Sequence, residues 1–155
     1  MSDKKPKIGV VGAGHLGKHH IKHLSNHSGV ELVGVFDINT ESLKNICSEF
    51  SVNALQSIEE TISSCEAVHI VTPTNTHFDI AKKFLDHKKD VFIEKPITNT
   101  VEEASSLISL AKENGCIIQV GHIERFNPTI NRLKELVDNP HSVSYTHLTL
   151  PTTLV

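Results

Sequence analysis

Six residues near the start of the chain have the types and spacing to hold a pyrophosphate: Gly12-Ala13-Gly14-His15-Leu16-Gly17. Gly12 permits a tight turn off the apolar run Ile8 to Val11. Gly14 lacks a Cβ, so phosphate oxygens can approach the backbone there. Gly17 lets the following helix pack close to the strand. That helix begins at His15 and aims its free N–H groups and positive dipole end at the phosphates. A second apolar run, Val30 to Phe36, ends in Asp37, about twenty residues past Gly17. An acid in that position accepts hydrogen bonds from the adenosine ribose, and its charge would repel a 2′-phosphate. No Arg follows Asp37 closely, so the pattern favours NAD, with NADP less suited. The plain alternative is a glycine-rich turn followed by an N-capping Asp.

The elements that must position these residues alternate along the chain. The spacing predicts a helix over His15 to Asn26, with Leu16, His20, Ile21 and Leu24 facing a sheet. A strand follows at Glu31 to Asp37, and a helix from Glu41 to Glu49 buries Leu43, Ile46 and Phe50. A short third strand is expected near Val52 to Leu55, then a brief helix marked by Ile58 and Ile62. Ala67 to Val71 is a strand that stops at Thr72-Pro73. His69 inside it reads as a hydrogen-bonded core histidine.

The next helix is capped by Asn75 or Thr76 and presents Phe78, Ala81, Phe84 and Leu85. Val91 to Ile93 forms a strand ending at Glu94-Lys95-Pro96. Thr100-Val101-Glu102-Glu103 is a capping box. It opens a helix with a stripe of Val101, Ala104, Leu107, Ile108 and Ala111, closed by Gly115. A strand at Ile117 to Val120 and a helix from Pro128 to Val137 complete the pattern. The fold class is therefore α/β, a doubly wound parallel sheet between two helical layers. Ligands bind such sheets beyond the carboxyl ends of the strands, where these polar residues collect.

Composition narrows the partners. The chain has 155 residues, 38% hydrophobic and 21% charged, with a net charge of −3. That balance argues against nucleic acid. No apolar run is long enough to cross a membrane. Three scattered cysteines without a C-x-x-C pair suit a reducing, cytoplasmic setting. Eleven histidines invite a metal reading, and His15, His19, His23 and His27 form a row on one helix. No further ligand completes a site at usual spacing, so no metal is expected.

Taken together, GAGHLGKHH, Asp37, Thr72-Pro73-Thr74-Asn75-Thr76-His77, Glu94-Lys95-Pro96 and Arg125-Phe126-Asn127-Pro128 resemble the Gfo/Idh/MocA family of NAD(P)-dependent oxidoreductases. The resemblance covers about residues 5–138. The form GHIERFNP looks most like the branch acting on nucleotide-linked amino sugars, such as UDP-N-acetylglucosamine 3-dehydrogenases. It implies a Rossmann domain in which Gly12, Gly14, His15, Leu16 and Gly17 line the pyrophosphate and Asp37 holds the adenosine ribose. Thr72, Pro73, Thr74 and His77 lie along the cofactor, and Glu94 binds the nicotinamide ribose. Lys95 points at the substrate hydroxyl that becomes a carbonyl, and Pro96 is often cis. Arg125 and Asn127 are substrate-side candidates. The implied substrate is a sugar or nucleotide-sugar, and the implied assembly is a homo-oligomer of the full-length protein. A lysine suits its place chemically: removing hydride from a carbinol carbon requires the hydroxyl to lose its proton, and an ammonium stabilises the emerging alkoxide.

Two departures stand out. The family has glycine near position 87, where this chain has His87. That predicts left-handed backbone at a non-glycine residue, at about 1 kcal/mol. No D-x-x-x-H follows Pro128, since Asp138 and His141 are one residue short of it. The resulting domain expectation is a Rossmann domain over residues 1–122, a linker and helix over 123–141 toward a second domain, and a non-native tail over 142–155. The tail resembles translated sequencing-adaptor read-through; a genuine threonine-rich end is the alternative. The chain itself is expected to bind NAD weakly and to turn nothing over. A stand-alone dinucleotide-binding module, sensing or scaffolding without catalysis, is the competing function.

Overall fold

The computed structural model describes residues 4–137. The expected tail over 142–155, and Asp138 and His141 with it, lies outside the described residues. The chain divides into two compact units, Met1–Gly121 and His122–Val155.

In the first unit, five parallel strands form one sheet in the order β2-β1-β3-β4-β5. They are β1 (Lys7–Val11), β2 (Glu31–Phe36), β3 (Ala67–Ile70), β4 (Asp90–Ile93) and β5 (Ile118–Val120). Five helices connect them: α1 (His15–Asn26), α2 (Thr40–Phe50), α3 (Ile58–Ser64), α4 (His77–Asp86) and α5 (Val101–Asn114). From β1 the chain winds one way to β2 and the other way to β3, so a topological switch point lies between β1 and β3.

Side chains of successive strand residues point to opposite faces, so each strand feeds two cores. Val10, Val35, Ile21, Leu43 and Ile46 pack under α1 and α2. Val11, Val68, Ile70, Phe84, Leu85, Ile93 and Leu107 pack on the other face, with α3, α4 and α5. Asn39 caps α2 by accepting from the Glu41 and Ser42 N–H groups. Thr100 and Glu103 form the expected capping box of α5, and Gly115 closes that helix in the left-handed conformation.

Several expectations need correction. The third strand near Val52 to Leu55 is a single parallel bridge, Val35 with Ala54. Leu16 is 53% exposed rather than facing the sheet. Val101 and Ile108 are 77% and 45% exposed. The buried face of α5 centres on Leu107 and Ala111, and at 100° per residue Val101 and Ile108 fall on its flank. Thr76 is the N-cap residue of α4, one of the two expected, but its side chain does not cap the helix: Oγ1 turns back to Pro73 O at 2.7 Å. His87 has ordinary angles (φ −98°), and the left-handed residue is its neighbour Lys88 (φ 56°).

The second unit holds a short 3-10 turn, Ile123–Phe126, and helix α6 (Pro128–Val137). Among the described residues no helix is long and apolar enough to cross a membrane.

Candidate functional site

The glycine turn is built by close contacts. Gly12 has φ +110°, and a Cβ there would lie 2.3 Å from Val71 O. A Cβ on Gly17 would lie 2.1 Å from Gly12 O, so the helix can sit on the turn only as glycine. Gly14 differs. A Cβ there meets nothing within 4 Å, so nothing in this chain requires glycine at that position. Gly14 is also the cap residue of α1, which has no side-chain cap and no acid in its first turn. The first N–H groups of α1 are thus left for an anionic partner. These features fit a pyrophosphate.

Asp37 leaves β2 beside this turn. Its Oδ2 accepts the Ala13 N–H, and its Oδ1 accepts the Asn39 N–H at 2.7 Å. The carboxylate is thereby fixed between the glycine turn and α2, with lone pairs left for hydroxyl donors. Between these groups lies a cleft of about 500 Å³. Gly12, Gly14, Asp37, Thr72 and Pro73 line it. So do Asn75 of the same motif and, with no motif to mark them, Ile38, Asp79 and Ile80. Ile38 is 91% exposed at the rim. Its apolar side chain directly after Asp37 is the available sequence signal.

Thr74 opens the short 3-10 turn Thr74–Thr76 after β3. His77 is 1% exposed. Its ring nitrogens lie 2.8 Å from Thr72 O and 3.0 Å from Pro96 O. It therefore joins the loop after β3 to the loop after β4. The Lys95–Pro96 peptide is cis. Lys95 is exposed, while Glu94 beside it is 8% exposed. Glu94 Oε2 accepts the Lys95 N–H at 3.1 Å, and Oε1 lies 3.0 Å from His20 Nε2. Gly121 walls the carboxylate: a Cβ there would lie 2.8 Å from Glu94 Oε1.

His20 Nδ1 is 3.0 Å from His69 Nδ1, so His69 is hydrogen-bonded as expected, although it is half-buried rather than part of the core. Its ring stacks on Phe92 with centroids 4.5 Å apart. Burial pushes the His69 imidazole down to about 4, helped by the nearby His20 ring. Burial also lowers His20, opposed by its bond to Glu94. The sequence placed His20 on the sheet side of α1 but did not connect it with Glu94.

His15 and Leu16 occupy the exposed first turn of α1, with the His15 ring edge-on to His19 at 5.2 Å. Among the described residues no group of three His, Cys, Asp or Glu is placed to hold a metal ion. Arg125 and Asn127 belong to the second unit. There Asn127 Nδ2 donates to Glu124 Oε2 at 2.9 Å, and its Oδ1 accepts the Thr129 N–H at 3.0 Å.

Residues 6–122 match the Gfo/Idh/MocA oxidoreductase family, NAD-binding Rossmann fold. The chain belongs to this family. It is similar to UDP-N-acetylglucosamine 3-dehydrogenase of Acidithiobacillus ferrooxidans, 38% identical over 83% of this chain and 41% of that protein. The crystal structure of that enzyme superposes with a TM-score of 0.79 at 36% identity, over 86% of this chain and 42% of the other. It is also similar to scyllo-inositol 2-dehydrogenase (NAD(+)) of Bacillus subtilis, 33% identical over 85% of this chain and 40% of that protein. The chain thus spans about two fifths of the length of these curated relatives.

Proposed function

We propose that this chain carries the cofactor half of an oxidoreductase that moves hydride between NAD and a hydroxyl-bearing carbon of a sugar or nucleotide-sugar. The observation that carries this reading is the joining of two sites at the carboxyl ends of the strands. The pyrophosphate turn and Asp37 line the cleft at the ends of β1 and β2, while His77 ties the cleft loop at Thr72 to Glu94-Lys95-Pro96 at the end of β4.

In this reading Gly12, Gly14, His15, Leu16 and Gly17 surround the pyrophosphate, and Asp37 receives the adenosine ribose. Thr72, Pro73 and Thr74 flank the cofactor's path, and His77 keeps that path aligned with Glu94. Glu94 receives the second ribose. Bound NAD supplies the hydride acceptor. Lys95 sets a cation against the oxygen that becomes the carbonyl, which favours loss of its proton. Asp37 makes NAD the preferred cofactor over NADP, because a 2′-phosphate would meet a fixed negative charge. Residues 1–122 form the cofactor domain, residues 123–141 lead to a substrate domain, and residues 142–155 carry none of the function. Arg125 and Asn127 act on the substrate side, and the whole protein is a homo-oligomer. The names of two relatives, acting on a nucleotide-sugar and on an inositol, support a polyhydroxylated ring as substrate. Cys47, Cys65 and Cys116 form no disulfide, which suits a reducing cytoplasm.

Replacing Lys95 by Ala in a protein carrying both domains tests the chemistry. Turnover is expected to fall about a hundred- to a thousandfold, the scale of removing one electrostatic and proton-handling group, with NAD affinity kept. Unchanged turnover contradicts the role of Lys95.

A further inference from the structure

Glu94 is a nearly buried carboxylate, and such a group needs bonded partners. One oxygen takes the Lys95 backbone N–H. The other takes a side chain from a different element, His20 of α1, at 3.0 Å. A carboxylate oxygen accepts, so His20 Nε2 donates. A neutral imidazole that donates through Nε2 presents a lone pair at Nδ1. The atom facing that lone pair, at 3.0 Å, is His69 Nδ1, which then carries its proton. Burial favours the neutral form of both rings. The hydrogen bonds therefore run in one direction, from His69 through His20 to Glu94. The stack of His69 on Phe92 and the wall at Gly121 hold the two ends of this chain in place.

We propose that His20, fixed by His69, is a positioning residue of the cofactor site: it orients the Glu94 carboxylate toward the ribose next to the nicotinamide. This rests on the reading of Glu94 as the ligand of that ribose. Helix α1 then serves both halves of the cofactor, with its N-terminus at the pyrophosphate and His20 behind Glu94.

Two measurements on the 155-residue chain test it. Long-range 1H–15N spectra of the unmodified chain at about pH 7 are expected to show His20 as the Nε2–H tautomer and His69 as the Nδ1–H tautomer. The opposite tautomers overturn the proposal without any variant having to fold. Calorimetric titrations with NADH and with ADP then compare His20→Leu, His20→Gln and Glu94→Ala. His20→Leu is expected to weaken NADH about tenfold and leave ADP unchanged, the scale of one charge-assisted hydrogen bond. His20→Gln, which keeps a donor near the Nε2 position, is expected to recover most of that loss. Equal weakening of NADH and ADP marks a merely structural histidine and overturns the proposal, as does full NADH affinity in His20→Leu. Glu94→Ala separates the two levels. If it weakens NADH and His20→Leu does not, the role of His20 alone fails. If Glu94→Ala itself leaves NADH affinity intact, the reading of Glu94 fails.

Discussion

A side chain added at Gly14 and one added at Gly17 meet opposite surroundings. At Gly17 the first carbon collides with the Gly12 carbonyl, and that oxygen belongs to a turn with nowhere to move. Gly17→Ala is expected to cost about 3 kcal/mol of stability, read by chemical denaturation. At Gly14 the space is open and the backbone is extended, so Gly14→Val is expected to lower stability by no more than about 1 kcal/mol, the cost of a poorer N-cap. As the proposed ribose ligand, Asp37 would separate the cofactors by charge. Asp37→Ser is expected to narrow the preference for NAD over NADP by at least about tenfold, seen by titrating each. It also gives up bonds to Ala13 and Asn39, so NAD affinity falls as well. An unchanged ratio of the two affinities would contradict the role given to Asp37. The turn was legible at Gly12 and Gly17 because close backbone contacts demand glycine there at one spacing. The pairing of His20 with Glu94 was not, since the two lie 74 residues apart and meet only when α1 crosses the sheet.

Among the elements, strands and helices were read from their periods, while their edges and flanks were decided by neighbours. The segment at Val52 to Leu55 looked like a strand. Its backbone meets β2 through Val35 N–H to Asn53 O and Leu55 N–H to Val35 O before the chain turns into α3. The buried stripe of α5 is narrower than its apolar pattern, since neither Val101 nor Ile108 faces the core cluster. The α5 capping box depends on local sequence alone, and it formed as read. Thr100→Ala is expected to lower stability by about 1 kcal/mol without changing nucleotide affinity. The left-handed position at the end of α4 fell on Lys88, because the Lys88 and Lys89 N–H groups turn back to Leu85 O and Phe84 O. Lys88→Gly is expected to stabilise the fold by up to about 1 kcal/mol, whereas His87→Gly gains nothing of that kind. Thermal unfolding of the two variants side by side decides the register.

At the scale of the whole molecule, the parallel sheet brings the ends of β1, β2 and β3 to one cleft, and the switch between β1 and β3 opens it. The same arrangement buries His69 between α1 and the sheet, and this gives the fold a pH dependence. The folded state holds the His69 pKa at about 4, below its ordinary value of 6.5, so unfolding takes up a proton in acid. Stability from this group is intact above about pH 6.5 and is lost as pH falls toward 4, a loss on the order of 3 kcal/mol. Denaturation midpoints across that window are expected to drop less steeply in His69→Phe. An equal slope in both proteins would show that other groups control it.

Binding of NAD in the cleft at the switch point is tested most directly by calorimetric titration of NAD into the chain and into its Gly14→Val variant. Saturable binding at one site, lost in a variant that stays folded, is the expected result. Failure of the parent chain to bind, or equal affinity in the variant, would contradict it.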